Sequence, residues 1–218
     1  MHQNPPSPAT PGGASRFGLP GLSRGRFLAL LGAGALTGAG AVRVFGGGSS
    51  WRYNTVENPV PAFVPASYRL VIDGLVERPF TLTYDELRAI PAVRQVSDFH
   101  CVEGWGVDDV QWDGVRLQTI IERARPSRDA KFVTFHSMQG VYRDSLSLHQ
   151  SGLPDVLIAY DMDGQPLEQD HGAPLRLVMP RMFGYKGAKW LTRIEFSDVQ
   201  ERGFWEERGW GVDAWITA

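Results

Sequence analysis

A single cysteine, Cys101, stands in a chain of 218 residues. No internal disulfide can form, no set of thiolates can hold an iron–sulfur cluster, and no CxxCH pair can attach a haem. No GxGxxG run opens a helix and no segment repeats. The longest mildly apolar stretch, residues 27–42, is short for a membrane-spanning helix and suits the apolar region of an export signal. Acidic residues are missing from the first fifty positions, which carry Arg16, Arg24, Arg26 and Arg43 and no Asp or Glu. Removing those four from the chain's 22 Lys and Arg leaves 18 against 24 Asp and Glu, a net charge near −6. That balance excludes general attraction to nucleic acid and confines any phosphate binding to a local patch.

Two runs carry the chemistry that remains. Cys101 lies in DFHCVEGW, residues 98–105, and HGAPLRLVMPRMFGYKGAKW, residues 171–190, gathers cations around glycine-rich backbone. A lone cysteine is most often a small buried hydrophobe. As a thiolate it is also a soft metal ligand, and in an oxidising compartment a metal would protect it. Arg176, inside the apolar string LRLVM, needs an anionic partner if it is buried, either a phosphate or an Asp. Lys189 and the backbone N–H groups of Gly187 and Ala188 offer a phosphate cradle. His100 beside Cys101 suggests thiol nucleophile chemistry as an alternative, but neighbours on a strand point to opposite faces.

Patterning gives an α+β class, a single domain of mixed sheets with short helices over residues 51–218. Alternation predicts strands over 68–76, 93–99, 131–136, 156–162, 175–179 and 191–196. Thr83 followed by Glu86 is a capping box that starts a short helix through Arg88, stopped by Pro91. Leu117, Ile120, Ile121 and Ala124 share one helical face, which reads as core. Asp113 with Gly114 reads as a turn, and Asp163 with Gly164 as the turn of a hairpin.

The two runs resemble the molybdopterin-binding domain of the sulfite oxidase family, most specifically through CVEGW with WDGVRL, through DVLIAYDMDGQPL, and through HGAPLRLV with GAKW. CVEGW, in place of a cysteine followed by AGNRR, is similar to the methionine sulfoxide reductase branch of that family. The resemblance implies a sulfite-oxidase-type fold and a molybdenum–molybdopterin cofactor, one metal per chain. Cys101 would be the metal ligand. His171 and Arg176 would hold the pterin, with Gly187, Ala188 and Lys189 at its phosphate end. Tyr53, Asn54 and Ser137 match further cofactor contacts, though each also reads as ordinary loop polarity. Glu103 would relay protons as a catalytic group beside the metal, with Trp105 shielding the site; both also read as a solvated loop acid and a core cap.

The implied activity is oxygen-atom transfer, with reduction of S-oxides favoured because the arginines that would hold sulfite are replaced by VEGWG. Sulfite oxidation by the same cofactor and a non-catalytic cofactor-binding relic are the alternatives. Electrons must come from a separate redox partner, such as a membrane cytochrome, and the substrate is a small-molecule or peptide oxide. A monomer is expected. SRGRFL resembles a twin-arginine export signal with Gly25 in place of the second arginine, which implies an exported, periplasmic protein. Its leader, residues 1–50, would be cleaved or would anchor the chain through residues 27–42, and a cytoplasmic Pro- and Gly-rich tail is the other reading.

Overall fold

The computed structural model describes residues 51–216. The leader and the export reading placed on residues 1–50 lie outside the described residues. Within them, two five-stranded sheets carry the structure.

The first sheet has the order β2-β1-β10-β5-β6, formed by β1 (Leu70–Gly74), β2 (Phe80–Leu82), β5 (Phe132–Ser137), β6 (Arg143–Ser147) and β10 (Leu191–Ser197). β1 runs parallel to β10, and the other pairings are antiparallel. The second sheet is antiparallel throughout. It contains β3 (Val93–His100), β4 (Gly106–Arg116), β7 (Leu157–Met162) and β8 (Gln165–Pro166), with β9 (Arg176–Val178) paired to β7. Three short helices complete the set, α1 (Tyr84–Arg88), α2 (Leu117–Ala124) and α3 (Leu148–Ser151). Mixed sheets with few short helices are what the patterning and the family resemblance led us to expect.

Local sequence explains most of these elements. The Thr83 hydroxyl accepts from the Glu86 N–H and the Glu86 carboxylate accepts from the Thr83 N–H, so the capping box starts α1 as predicted. The α2 stripe of Leu117, Ile120, Ile121 and Ala124 is buried. Its three large side chains contribute about 1.5 to 3 kcal/mol each against exposure to water. Arg125 then ends the helix in the left-handed conformation. Asp163 and Gly164 both have positive φ, as the tight β7–β8 hairpin turn requires.

Asp113 and Gly114 do not form a turn. They lie inside β4, where Asp113 pairs with Arg94 and with Asp161, and the register of the β4–β7 pairing shifts between Asp113 and Gly114. A Cβ on Gly114 would come within 2.3 Å of the Ile158 carbonyl oxygen. Glycine is therefore demanded by the close approach of β7 at a bulge, which local sequence cannot distinguish from a turn. β4 and β6 are absent from the strands that alternation predicts, since Asp108, Asp109, Arg143 and Asp144 break the apolar pattern.

Lys186 is 1% exposed and bonds both Asp144 on β6 and Glu206 near the C-terminus. Three chain segments are thereby tied together beneath the later run. Burial pushes the Asp144 carboxyl up to about 7, opposed by Lys186 and assisted by Glu206. The folded state thus binds a proton that the unfolded chain releases between about pH 4 and pH 7, and this group's contribution to stability falls as pH rises through that window. Lys186→Met should cost about 3 to 5 kcal/mol in urea unfolding, because two carboxyl groups remain buried without their cation. The loss should shrink at pH 5, where a carboxyl can take up a proton, relative to pH 8; an equal loss at both pH values would show that the carboxyl groups are not coupled through this site.

Candidate functional site

β3 and β4 form a hairpin whose loop, residues 101–105, carries Cys101 at its start. The Cys101 N–H donates to the Trp105 carbonyl (2.8 Å) and its carbonyl accepts from the Gly104 N–H (3.1 Å), so the loop is pinned by its own backbone. His100, the last residue of β3, lines a small separate cavity, whereas Cys101 lines a cleft of about 200 Å³. The two side chains therefore do not form a nucleophile and base pair.

The cleft joins the two sequence runs. Cys101 and Glu103 come from the hairpin loop, and His171, Arg176, Gly187 and Lys189 from the later run. A third segment, residues 51–56, spans both. The Asn54 amide donates to Glu103 (3.0 Å), while the Asn54 carbonyl accepts from Lys189 (3.0 Å). Trp51 packs against His171 at 4.8 Å between ring centroids and against Phe99 at 4.9 Å, and Tyr53 meets His171 at 5.0 Å. Gly172 sits directly on Lys189 with φ +111, and a Cβ there would come within 2.9 Å of the lysine's own Cβ. The two halves of the basic run close on each other only because position 172 has no side chain.

Charge in the cleft is held at a cost. Arg176 is 5% exposed, its Nη1 donates to the His171 carbonyl (3.2 Å), and its Nε has no partner. Its guanidinium carbon lies 5.0 Å from the Trp112 ring centre and 5.7 Å from that of Phe99. No carboxylate pairs with it among the described residues. Burial pulls its pKa down to about 10. Lys189, which donates to the carbonyls of Asn54 and Asp170, is pulled down to about 8 by burial and then by the Arg176 charge. His171, buried beside both, is held at about 4, again chiefly by burial, and is neutral at pH 7. A buried guanidinium without an anion is unfavourable. An anionic ligand is the missing term, and a pterin phosphate fits that donor set.

At the other end, Cys101 Sγ lies 3.9 Å from a Glu103 oxygen. Burial raises the thiol's pKa, so ligation by a metal would have to displace its proton. The Glu103 carboxyl is held below the usual range by its hydrogen bond from Asn54 and then by that from Trp105 Nε1 (3.2 Å).

Of the expected site residues, Tyr53, Asn54, Cys101, Glu103, His171, Arg176, Gly187 and Lys189 line the cleft; Ser137 and Ala188 do not. The buried Ser137 hydroxyl donates to Glu57. The backbone N–H groups of Gly187 and Ala188 donate to the Gly184 carbonyl (3.0 Å) and the Lys186 carbonyl (3.2 Å), so the expected cradle is already satisfied by a 3-10 turn and the tighter turn that follows it. Lys186 is likewise committed to its carboxylates. Sequence reasoning missed Trp51, Arg52 and an aromatic group of Tyr142, Tyr185, Trp205 and Trp210. Of these, only Trp205 and Trp210 carried a signal, the aromatic density of residues 204–215.

Residues 57–205 match a family model described as the oxidoreductase molybdopterin-binding domain. An uncharacterized oxidoreductase of Bacillus subtilis, YuiH, is 37% identical over 150 residues, covering 68% of this chain and 75% of the relative. The protein-methionine-sulfoxide reductase catalytic subunit of Campylobacter jejuni is 31% identical over 160 residues, covering 66% of this chain and 54% of that protein. The chain thus matches about half the length of that reductase subunit. Among solved structures, the sulfane dehydrogenase SoxCD of Paracoccus pantotrophus shares the fold, with a TM-score of 0.60 and 23% identity over 65% of this chain and 41% of that one.

His171 yields a pH test. Its folded pKa of about 4 lies below the ordinary 6.5, so the unfolded chain takes up the proton first and stability is lost as pH falls from about 6.5 to about 4. In the cofactor-free protein, His171→Asn should remove that part of the acid sensitivity, about 2 to 3 kcal/mol at pH 4. Parallel stability curves for the two proteins between pH 7 and pH 4 would rule out a buried neutral imidazole.

Proposed function

Because this chain belongs to the molybdopterin-binding oxidoreductase family, we propose that it reduces S-oxides with electrons delivered by a separate protein. The observation that carries the cofactor part is Arg176, a buried cation with an unsatisfied Nε in the same cleft as the chain's only thiol. His171, Arg176 and Lys189 would hold the pterin and its phosphate, Tyr53, Asn54 and Gly187 would border it, and Cys101 would ligate the metal. When bound, the molybdenum cofactor supplies two-electron oxygen-atom transfer chemistry, to which soft sulfur ligands are suited.

The charges beside Cys101 support this direction of transfer. The Glu103 carboxylate lies 3.9 Å from the sulfur, and Arg52 is the arginine of the cleft that acts on it. A dianion such as sulfite would meet that carboxylate, whereas a neutral sulfoxide would not. The Campylobacter jejuni relative is named for the same substrate class. In the net reaction the S–O bond breaks, two electrons arrive from the partner, and two protons leave with the oxygen as water. The Glu103 carboxylate, held by Asn54 and Trp105, is placed to take up a proton from water and pass it on, and Trp105 helps exclude bulk water.

Its relative's designation as a catalytic subunit supports a separate electron-donating protein, for which a membrane cytochrome is the reading we favour. Export to the periplasm, directed or anchored by residues 1–50, completes the proposal. No helix among the described residues is long and apolar enough to cross a membrane.

Protein matured in a cofactor-competent host should oxidise reduced viologen when given a sulfoxide and should show far slower sulfite oxidation with ferricyanide. Cys101→Ser should abolish the first activity. Glu103→Gln should lower turnover by about ten- to a hundred-fold without releasing molybdenum. Faster sulfite oxidation would reverse the assigned direction, and unchanged turnover in Glu103→Gln would remove the proton relay.

A further inference from the structure

One part of the cleft offers aromatic rings and no charged side chain. Tyr185, Trp205 and Trp210 line it without carrying charge, and Trp210 is 38% exposed. Tyr185 and Trp210 lie 5.9 Å apart between ring centroids, and Trp205 meets Trp210 edge-on at 6.5 Å. An exposed tryptophan at the mouth of a reactive cleft is unusual surface for water to wet and good surface for an apolar arm.

These rings are held firmly. The Tyr185 hydroxyl donates to the Gly211 carbonyl (2.7 Å), and the Trp210 N–H donates to the Trp205 carbonyl (3.1 Å). Between the two tryptophans, Glu206 is buried and bonded to Lys186, the residue after Tyr185. The Gly203 N–H donates to the same carboxylate (2.9 Å), and Tyr142 donates its hydroxyl to the Tyr185 carbonyl. The buried ion cluster thus fixes the rings' two parent segments to each other. Preorganised aromatic surface binds without a large ordering cost.

Resting on the S-oxide reading above, we propose that Tyr185, Trp205 and Trp210 are the specificity-determining face of the cleft. They grip the two-methylene arm and adjoining backbone of a methionine sulfoxide residue while its sulfinyl group reaches toward the Cys101 end. Methylene groups bury apolar area against aromatic rings, whereas dimethyl sulfoxide and small inorganic oxides have no arm to place there. Contact with the arm is the same before and during the reaction, so the face contributes to substrate affinity more than to the rate of the chemical step.

The test compares the holoenzyme with Trp210→Ala and Trp210→Phe in the viologen assay, using a methionine sulfoxide peptide and dimethyl sulfoxide. In Trp210→Ala, KM for the peptide should rise about ten-fold, with kcat falling less, while KM for dimethyl sulfoxide moves much less. Trp210→Phe should restore most of the peptide affinity. A second readout needs no turnover. Quenching of intrinsic tryptophan fluorescence by the reduced methionine peptide should give a dissociation constant that weakens in Trp205→Ala by a similar factor. Equal KM changes for both substrates, or unchanged peptide binding by fluorescence, would overturn the assignment. Absence of sulfoxide reduction in the wild-type holoenzyme would instead sink the functional reading on which it rests.

Discussion

An arginine without an anion organises the cleft. Arg176 is carried into the interior on β9, beside β7, where Leu157, Ala159 and Val178 form part of a small core with Trp112. One hydrogen bond to a carbonyl and two aromatic faces are its only compensation among the described residues. Folding therefore places a cation where the protein alone cannot neutralise it, and Lys189 and His171, lowered chiefly by their own burial, lose further proton affinity to its charge. Such a site is poised for a ligand that brings negative charge, and binding that ligand also relieves the folded protein.

The remaining structure delivers the second half of the site to the first. A hairpin loop closed by its own backbone presents Cys101, and the segment of residues 51–56 fastens that loop to the basic run through the two ends of Asn54. Behind them, Lys186 with Asp144 and Glu206 locks the basic run to β6 and to the C-terminal segment. A lysine that appears in the sequence as one more cation for phosphate is spent on this internal tie.

Much of this was legible from residues close together in the chain. The capping box at Thr83, the α2 stripe, the Asp163 and Gly164 turn, and both cofactor runs depend on neighbours within a few positions. What escaped depends on distant partners. Ser137 bonds Glu57, 80 positions away, so its hydroxyl is unavailable to a ligand. Gly114 is explained by the carbonyl of Ile158 on the adjoining strand. The N–H groups of Gly187 and Ala188 are consumed by a 3-10 turn and the tighter turn that follows it, which the GYKGAK string does not announce. Trp51, Trp205 and Trp210 meet the cleft from opposite ends of the described chain, and no motif joins them.

The central claim is that Cys101 binds molybdenum while the Arg176 region holds the pterin. X-ray absorption at the molybdenum edge tests it most directly, performed on wild-type and Cys101→Ser protein from a molybdate-fed, cofactor-competent host, alongside elemental and pterin assays. The account predicts about one molybdenum per chain in the wild type, with a protein sulfur in its coordination shell. In Cys101→Ser that sulfur contribution is lost while bound pterin is retained. Wild-type protein with bound pterin but no protein sulfur on the metal, or with no molybdenum at all, would contradict it.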